Sequence, residues 1–318
     1  METINVYYSF GGSDKNFKIT MLSIISLTIN NKNNIINIYL LDCGAISEYG
    51  LKKTSQEKLS KLKNYVKNSG ANVTLHFLDA NPLIKKYMLA GPNEIWNNKR
   101  YSKISLLYVR YLISFFKVPK KMLWLDTDTL IFKDLSELWN TNIDNHEWAG
   151  REDMIDCSKG ECKPFLQNGV MLLNIPKISP IFKQIIHDYK KRNYGDMGDM
   201  LILNKLSRNK KALNRKFNSF TYTKKVHIWH MCALALFPEK FSLLPIWAHF
   251  KWFKYRLKWY SDYAYQPKFN YDNKKIDSVW KLKSIKGDEE SIVLMNFPQL
   301  HIIYDIYHIY FDETQTLC

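Results

Sequence analysis

The sequence predicts an α/β fold with a mostly parallel central sheet. Up to Leu206, segments with strand composition alternate with segments of helical periodicity, which is typical of parallel sheets with helices on both faces. The short apolar run Met122–Leu125 ends in two aspartates, Asp126 and Asp128, and ligands of open α/β sheets bind outside the carboxyl ends of the strands. A chain of 318 residues is long enough for a full core of this kind.

The strand patterns up to Asp79 are short, apolar and bounded by turn formers. The first helix between them carries apolar residues at helical spacing. The second is long and charged, with Ser47 as its cap and Gly70 at its end. The predicted elements are strands Ile4–Phe10, Asn37–Cys43 and Val73–Asp79, helix Asn16–Asn30, and the helix that Ser47 caps.

The next part of the chain contains the strand that carries the two aspartates. Ser102 caps an apolar helix that runs through Phe116, and Pro119 separates this helix from that strand. Further apolar runs predict two more strands and then two more helices. These lie at Glu147–Glu152, Gly169–Ile175, Ser179–Lys191 and Asp196–Leu206.

The organisation changes after the last of these helices. Arg208–Lys225 is basic and predicted to be irregular, Phe237–Trp247 is predicted to be extended, and His249–Tyr260 interleaves cations with large aromatic residues. We therefore divide the chain into a main domain, 1–248, and a C-terminal extension, 249–318. The extension is expected to pack on the domain and to contact an acceptor or an anionic membrane surface. Aromatic residues that pack on the domain alone are the alternative.

Composition favours a cytosolic protein with an anionic partner. No apolar run is long enough to span a bilayer, and the N-terminus lacks the basic and apolar segments of a signal peptide. The five cysteines are scattered and odd in number, which suits a reducing compartment: Cys43, Cys157, Cys162, Cys232 and Cys318. The net charge of +16 indicates nucleotide phosphate, nucleic acid or anionic lipid as a partner.

Asp126 and Asp128 are spaced one residue apart, so their side chains are expected to point to the same side of the chain. Two adjacent carboxylates repel each other and are costly to bury unless a cation lies between them. Hard divalent ions take oxygen ligands of this kind, often together with nucleotide phosphates. The pair therefore predicts a divalent metal site, and a solvated turn after a buried strand is the alternative.

Four further segments accompany the two aspartates. Tyr101–Leu112 contains Arg110 two residues after an aromatic residue, and Asp134–Trp139 follows the aspartates. Gln167–Asn174 reads Gln-Asn-Gly-Val-Met-Leu-Leu-Asn, and Asp199–Asn204 reads Asp-Met-Leu-Ile-Leu-Asn. In order and rough spacing these segments resemble family 8 glycosyltransferases, which transfer a sugar from a nucleotide sugar with retention of anomeric configuration. The resemblance covers roughly residues 4–206 and implies a GT-A fold.

The resemblance implies roles for individual residues. Asp126 and Asp128 would hold Mn²⁺ or Mg²⁺ on the diphosphate, and Asp153, Gln167 and Asp199 would lie at the reacting sugar. The nucleotide or the donor sugar would be contacted by Tyr7, Ser9, Phe10, Gly11, Asp14, Arg110, Asp126 and Thr127. A structural salt bridge explains Arg110 nearly as well, and a stabilised first helical turn is the alternative for Asp199.

Two departures from the family pattern concern the metal and the reacting face. Met200 stands where the family usually has glutamine, and the family's C-terminal His-x-x-Gly-x-x-Lys-Pro-Trp motif is absent. Asn296, after the predicted strand Ser291–Met295, is the predicted third metal ligand, because an amide oxygen suits a hard cation. His301 and then His308 are the alternatives.

The resemblance implies transfer of galactose or glucose from its UDP form to a glycan or glycolipid acceptor. Bacterial relatives of this kind build lipopolysaccharide or capsule on the cytoplasmic leaflet, so the protein is expected in the cytoplasm or on the inner face of the plasma membrane. A catalytically inactive family member is one alternative. A nucleic-acid-binding protein is the other, although no recognised nucleic-acid motif is present, and no nucleic-acid partner is expected.

Overall fold

The structure is a computed structural model. It describes residues 1–10, 14–43, 55–87, 89, 104–156, 163–189, 198–219 and 225–230.

A seven-stranded sheet forms the centre of the protein. Its strands are β1 Thr3–Phe10, β2 Ile35–Asp42, β3 Asn72–Asp79, β4 Lys121–Leu125, β6 Trp148–Asp156, β7 Lys163–Asn174 and β8 Lys210–Leu213. They lie in the order β3-β2-β1-β4-β7-β6-β8. Strands β1, β2, β3 and β4 run parallel to one another, β7 is antiparallel to both of its neighbours, and β8 is parallel to β6. The predicted α/β fold with a mostly parallel sheet is confirmed.

A separate antiparallel ribbon pairs β5, Thr129–Ile131, with β9, Ile228–His230. The described helices are α1 Asp14–Asn30, α2 Gln56–Asn68, α3 Asn81–Tyr87, α4 Ser136–Trp139, α5 Ile175–His187 and α6 Gly198–Leu206. Two segments, Ile104–Phe115 and Arg215–Phe217, form 3₁₀ helices.

Helices cover both faces of the sheet because successive apolar side chains of its central strands point to opposite faces. On β4, Leu123 and Leu125 face a core cluster that α1 and α2 complete, whereas Met122 and Trp124 face a second cluster. That second cluster is completed by the 104–115 helix, α5 and α6. The central strands are therefore buried on both faces, which explains why they read as nearly continuous apolar runs.

Several element boundaries differ from the sequence predictions. The helix α5 begins at Ile175 instead of Ser179, directly after β7, because Pro176 is favoured in a first helical turn. The prediction that Ser47 caps α2 was wrong, because α2 begins at Gln56 and the hydroxyl of its N-cap, Ser55, accepts from the Lys58 amide. Gly70 lies just beyond the end of α2 with a φ of +67°, as a helix-ending glycine should.

The expectation that Arg208–Lys225 is irregular was wrong in part. Lys210–Leu213 forms the edge strand β8, and Arg215–Phe217 forms one 3₁₀ turn. The sequence of this strand shows no alternation of apolar and polar residues, because three of its four residues are partly or fully exposed.

Other predictions fall outside the described residues. Among them are the cap Ser102, the extended segment Phe237–Trp247, and the C-terminal extension with its strand Ser291–Met295. The division at residue 248 stays a prediction. Within the part of the chain that the structure describes, no helix is both long and apolar enough to cross a membrane.

Candidate active site

The turn between β4 and β5 holds the two aspartates at the carboxyl end of β4. The Asp126 amide donates to the carbonyl of Gly169 on β7 at 2.8 Å. Both the amide and the hydroxyl of Thr129 donate to the Asp126 carbonyl, at 3.1 and 2.7 Å. The side chains form a further hydrogen bond, in which Trp124 Nε1 donates to Asp126 Oδ1 at 3.0 Å. The turn is therefore fixed by its backbone as well as by its side chains.

His230 completes a group of three potential metal ligands. It pairs with Thr129 across the β5–β9 ribbon, and its Nε2 lies 3.3 Å from Asp128 Oδ1 and 3.6 Å from Asp126 Oδ2. One donor atom from each of these three side chains lies within 4.8 Å of the other two. Two carboxylates and one imidazole form a donor set that suits a divalent transition ion such as Mn²⁺. The three residues therefore fit the metal site that the two aspartates predict.

Sequence reasoning missed His230. The signal was present, because the short apolar run Val226–Trp229, broken by His227, ends in a potential ligand as β4 does. Asn296 and the alternatives His301 and His308 lie outside the described residues, and Asn296 stays a prediction.

Arg110 connects the aspartates to the rest of the site. It extends from the 104–115 helix, is buried, and lies over the Trp124 ring at 4.9 Å. Its Nη1 is 3.2 Å from Asp126 Oδ1 and donates to the Asn168 carbonyl at 2.9 Å. Its Nη2 lies 3.7 Å from Asp199 Oδ2. Burial works to lower the pKa of Arg110, but Asp126 and Asp199 outweigh burial and raise that pKa, so the guanidinium stays charged.

Asp199 lies in the first turn of α6 and is buried. Its Oδ2 accepts from Asn168 Nδ2 at 2.8 Å, and its backbone carbonyl accepts from the Tyr111 hydroxyl at 2.8 Å. The side chain is thus turned toward Arg110 and β7, which a residue that only stabilises its own helix would not need. Met200, the departure from the family pattern, is buried beside it.

This cluster has an excess of negative charge that a cation would neutralise. Burial raises the pKa of Asp126 to about 6; Arg110 and His230 act against this rise, and Asp128 and Asp199 add to it. With His230 neutral, as a metal ligand must be, the three carboxylates and one guanidinium carry a net charge of −2. One divalent ion would neutralise it.

The remaining predicted residues differ in how close they lie to the two aspartates and in how deeply they are buried. Ser9 and Phe10 end β1, next to the aspartates' end of the sheet, and Thr127 is half-buried in the β4–β5 turn. Gln167 precedes Asn168 on β7 and is half-buried. Tyr7 is fully buried against Trp124, and its hydroxyl lies 3.5 Å from the Arg110 carbonyl. It therefore packs behind Trp124 and Arg110 and does not line the site itself.

Four of these residues are described only in part or not at all. Phe10 ends β1, Asp14 begins α1 and Asp153 lies on β6, but their side chains are outside the description. Gly11 lies wholly outside it.

Known proteins resemble this chain in both sequence and fold. A putative glycosyltransferase of Haemophilus influenzae is 27% identical over 235 residues, which are 70% of this chain and 64% of that protein. The chain therefore matches somewhat less than two thirds of that relative's length.

The solved structures of two other glycosyltransferases are similar to this chain. The galactosyltransferase LgtC, in complex with donor and acceptor sugar analogues, gives a TM-score of 0.52 at 16% identity, over 73% of this chain and 88% of that one. The bifunctional glycosyltransferase WbbM, in its apo form, gives 0.51 at 20% identity, over 68% and 39%. At these identities the likeness concerns the fold, which is the GT-A fold.

The sequence profile described as "Glycosyl transferase family 8" matches residues 9–227. That match covers well over half of the chain and includes Arg110, Asp126, Asp128 and Asp199, whereas β9, which carries His230, begins at the next residue. The chain belongs to glycosyltransferase family 8.

Proposed function

We propose that this glycosyltransferase moves a hexosyl group, galactose or glucose, from a UDP-sugar to a glycan or glycolipid acceptor, with retention of configuration and with Mn²⁺ or Mg²⁺. The observation that carries the proposal is the cluster of Asp126, Asp128 and His230 at the carboxyl end of β4. Family membership supports the nucleotide-sugar donor. The donor and acceptor sugar analogues bound by LgtC support the two substrate classes.

In this proposal Asp126, Asp128 and His230 hold the metal ion. A bound divalent ion acts as a Lewis acid that stabilises the negative charge of the departing diphosphate. Arg110 holds Asp126 and Asp199 at fixed positions, since its guanidinium lies within 3.7 Å of both carboxylates. Asn296 remains a predicted additional ligand, and its amide oxygen would complement the three donors.

The nucleotide is proposed to lie over the end of β1 and the turn that follows. Ser9, Phe10, Gly11 and Asp14 would contact it from there, and Thr127 from the aspartate turn. The reacting sugar would lie beside Asp199 and Gln167, with Asp153 near its hydroxyls. Tyr7 would act indirectly, through Arg110 and Trp124, because its ring is buried.

Release of UDP from a panel of UDP-sugars tests this function. We expect release from UDP-galactose or UDP-glucose with Mn²⁺ present, stimulated by an acceptor, and none after EDTA treatment. Release that is unaffected by EDTA would contradict the metal dependence. Binding of nucleotide sugar without any turnover would favour a catalytically inactive family member, the alternative that methionine at position 200 instead of the family's glutamine suggests.

We predict that Asp199→Asn lowers kcat far more than it changes the KM for the donor, because this carboxylate is proposed to act at the reacting sugar. Asparagine keeps an oxygen that can accept the Asn168 hydrogen bond, so the fold is retained. Steady-state kinetics measure both constants, with Asp144→Asn on an exposed loop as the control. Turnover within a few-fold of wild type would reduce Asp199 to a support for Arg110 and its own helix.

The C-terminal extension is proposed to place the enzyme on the inner face of the plasma membrane during lipopolysaccharide or capsule synthesis. We predict that the protein sediments with anionic liposomes, and that salt weakens this binding. Neutralising Lys251, Lys254 and Lys258 should reduce sedimentation, whereas the same change at three lysines of α2 should not: Lys61, Lys63 and Lys67. Equal loss in both variants would show that overall charge, and not this segment, binds lipid.

A further inference from the structure

Asn218 lies against the ring nitrogen of His230 that faces away from the aspartates. Its Oδ1 is 2.9 Å from His230 Nδ1, and the residue is fully buried. It follows the 3₁₀ turn Arg215–Phe217, close to the β5–β9 ribbon but outside the seven-stranded sheet. No expectation from the sequence gave this residue a role.

We infer that Asn218 is a positioning residue that makes His230 competent as a metal ligand. A neutral imidazole carries one proton. If Nε2 is to bind a metal beside Asp126 and Asp128, that proton must be on Nδ1, where it needs a hydrogen-bond acceptor. Asn218 Oδ1 is the acceptor. The inference rests on the proposed metal site.

The backbone around Asn218 keeps this acceptor in place. The Asn218 amide donates to the Arg215 carbonyl at 3.2 Å, and Arg151 Nη1 donates to the Asn218 carbonyl at 2.9 Å. In the next residue, Ser219, the backbone amide donates to the Ile228 carbonyl at 3.0 Å, and the backbone carbonyl accepts from the His230 amide at 2.8 Å. Asn218 and His230 are therefore fixed to each other through backbone and side chain together.

The side-chain nitrogen of Asn218 indicates that this residue does not serve packing alone. Asn218 Nδ2 is buried and has no hydrogen-bond partner among the described residues. A buried donor without a partner is unfavourable, and an apolar side chain of similar size would avoid that. Asparagine at this position is explained when its oxygen is required by His230.

Mn²⁺ binding to the full-length protein tests the inference. Electron paramagnetic resonance of free Mn²⁺ gives the affinity of wild type, Asn218→Leu, Asn218→Asp and His230→Ala. We expect Asn218→Leu to weaken Mn²⁺ binding by roughly 10- to 100-fold, the usual effect of removing such a partner. Asn218→Asp, which restores an acceptor, should bind within a few-fold of wild type. The control Asn214→Ala removes the cap of the adjacent 3₁₀ turn without touching His230, and should bind normally.

The outcomes separate this inference from the proposed function. If wild type does not bind Mn²⁺, the metal site and the role of Asn218 are both overturned. If His230→Ala weakens binding but Asn218→Leu does not, the role of Asn218 alone is overturned.

A spectroscopic readout covers the case in which Asn218→Leu fails to fold. In wild-type protein labelled with [¹⁵N]histidine and loaded with Zn²⁺, which is diamagnetic, we expect the His230 proton on Nδ1, protected from exchange. The Asn218→Asp variant should keep that signal. A His230 ring protonated on Nε2, or an Nδ1 proton that exchanges freely in wild type, would overturn the inference.

Discussion

Replacing Asp126 by asparagine is expected to lower sugar transfer by on the order of 10²–10³ and, in EDTA, to raise the melting temperature of the protein. Activity falls because a carboxylate ligand is lost. Stability rises because burial and the nearby Asp128 and Asp199 raise the pKa of Asp126 to about 6, so ionisation of this carboxyl at pH 7 lowers the stability of the cation-free protein. Asparagine imitates the uncharged form.

Differential scanning fluorimetry and UDP calorimetry check the two halves of this prediction. Wild type should gain thermal stability from Mn²⁺, and Asp126→Asn should gain little. Asp128→Asn should likewise lose transfer and metal-dependent UDP binding. UDP binding that is independent of metal, and unchanged in both variants, would be fatal to the metal site.

Gly169→Ala is expected to abolish metal binding and transfer together. A Cβ atom at Gly169 would lie 2.6 Å from His230 Nδ1 and 3.1 Å from Asp126 Oδ2, so the ribbon and the aspartate turn would have to move apart. Overpacking of this kind typically destabilises a protein by about 1–3 kcal/mol. Chemical denaturation and Mn²⁺ titration measure the two effects.

Gly70→Ala provides a matched control for Gly169→Ala. Alanine there meets nothing within 4 Å, but the φ of +67° is strained for it, at a cost of about 1–2 kcal/mol. It should lose stability and keep its affinity for Mn²⁺. Normal metal binding by Gly169→Ala would show that the β7 strand and the ribbon are more easily separated than their contacts indicate.

The sequence predicted the central strands well because they are buried on both faces. Strands β1 to β4 read as short apolar runs, and their helices carry matching periodicity or caps. Local patterns could not predict β8, since Lys210–Leu213 is an exposed edge strand that depends on backbone pairing with β6. Tertiary context decided that element.

The site was predictable only as far as local motifs reached. Asp126, Asp128, Arg110 and Asp199 lie in segments with recognisable patterns, and the structure brings these four residues together. His230 lies on a strand of three residues, too short for any period to show, and its neighbours are set by pairing with β5. Asn218 has no local signal, because its role depends on a contact 12 residues along the chain.

The β5–β9 ribbon also marks a place where the protein can be divided for engineering. A chain that ends between Asn218 and Ile228 contains every strand of the seven-stranded sheet together with both aspartates, yet it lacks the imidazole. Strand β9, which carries the missing imidazole, is joined to the rest of the protein by three residue pairs with β5, by a bridge between Ser219 and Trp229, and by the contact of His230 with Asn218. If the proposed metal site forms, a divalent ion would strengthen the reassembly of two such pieces, and their association would then report the concentration of that ion.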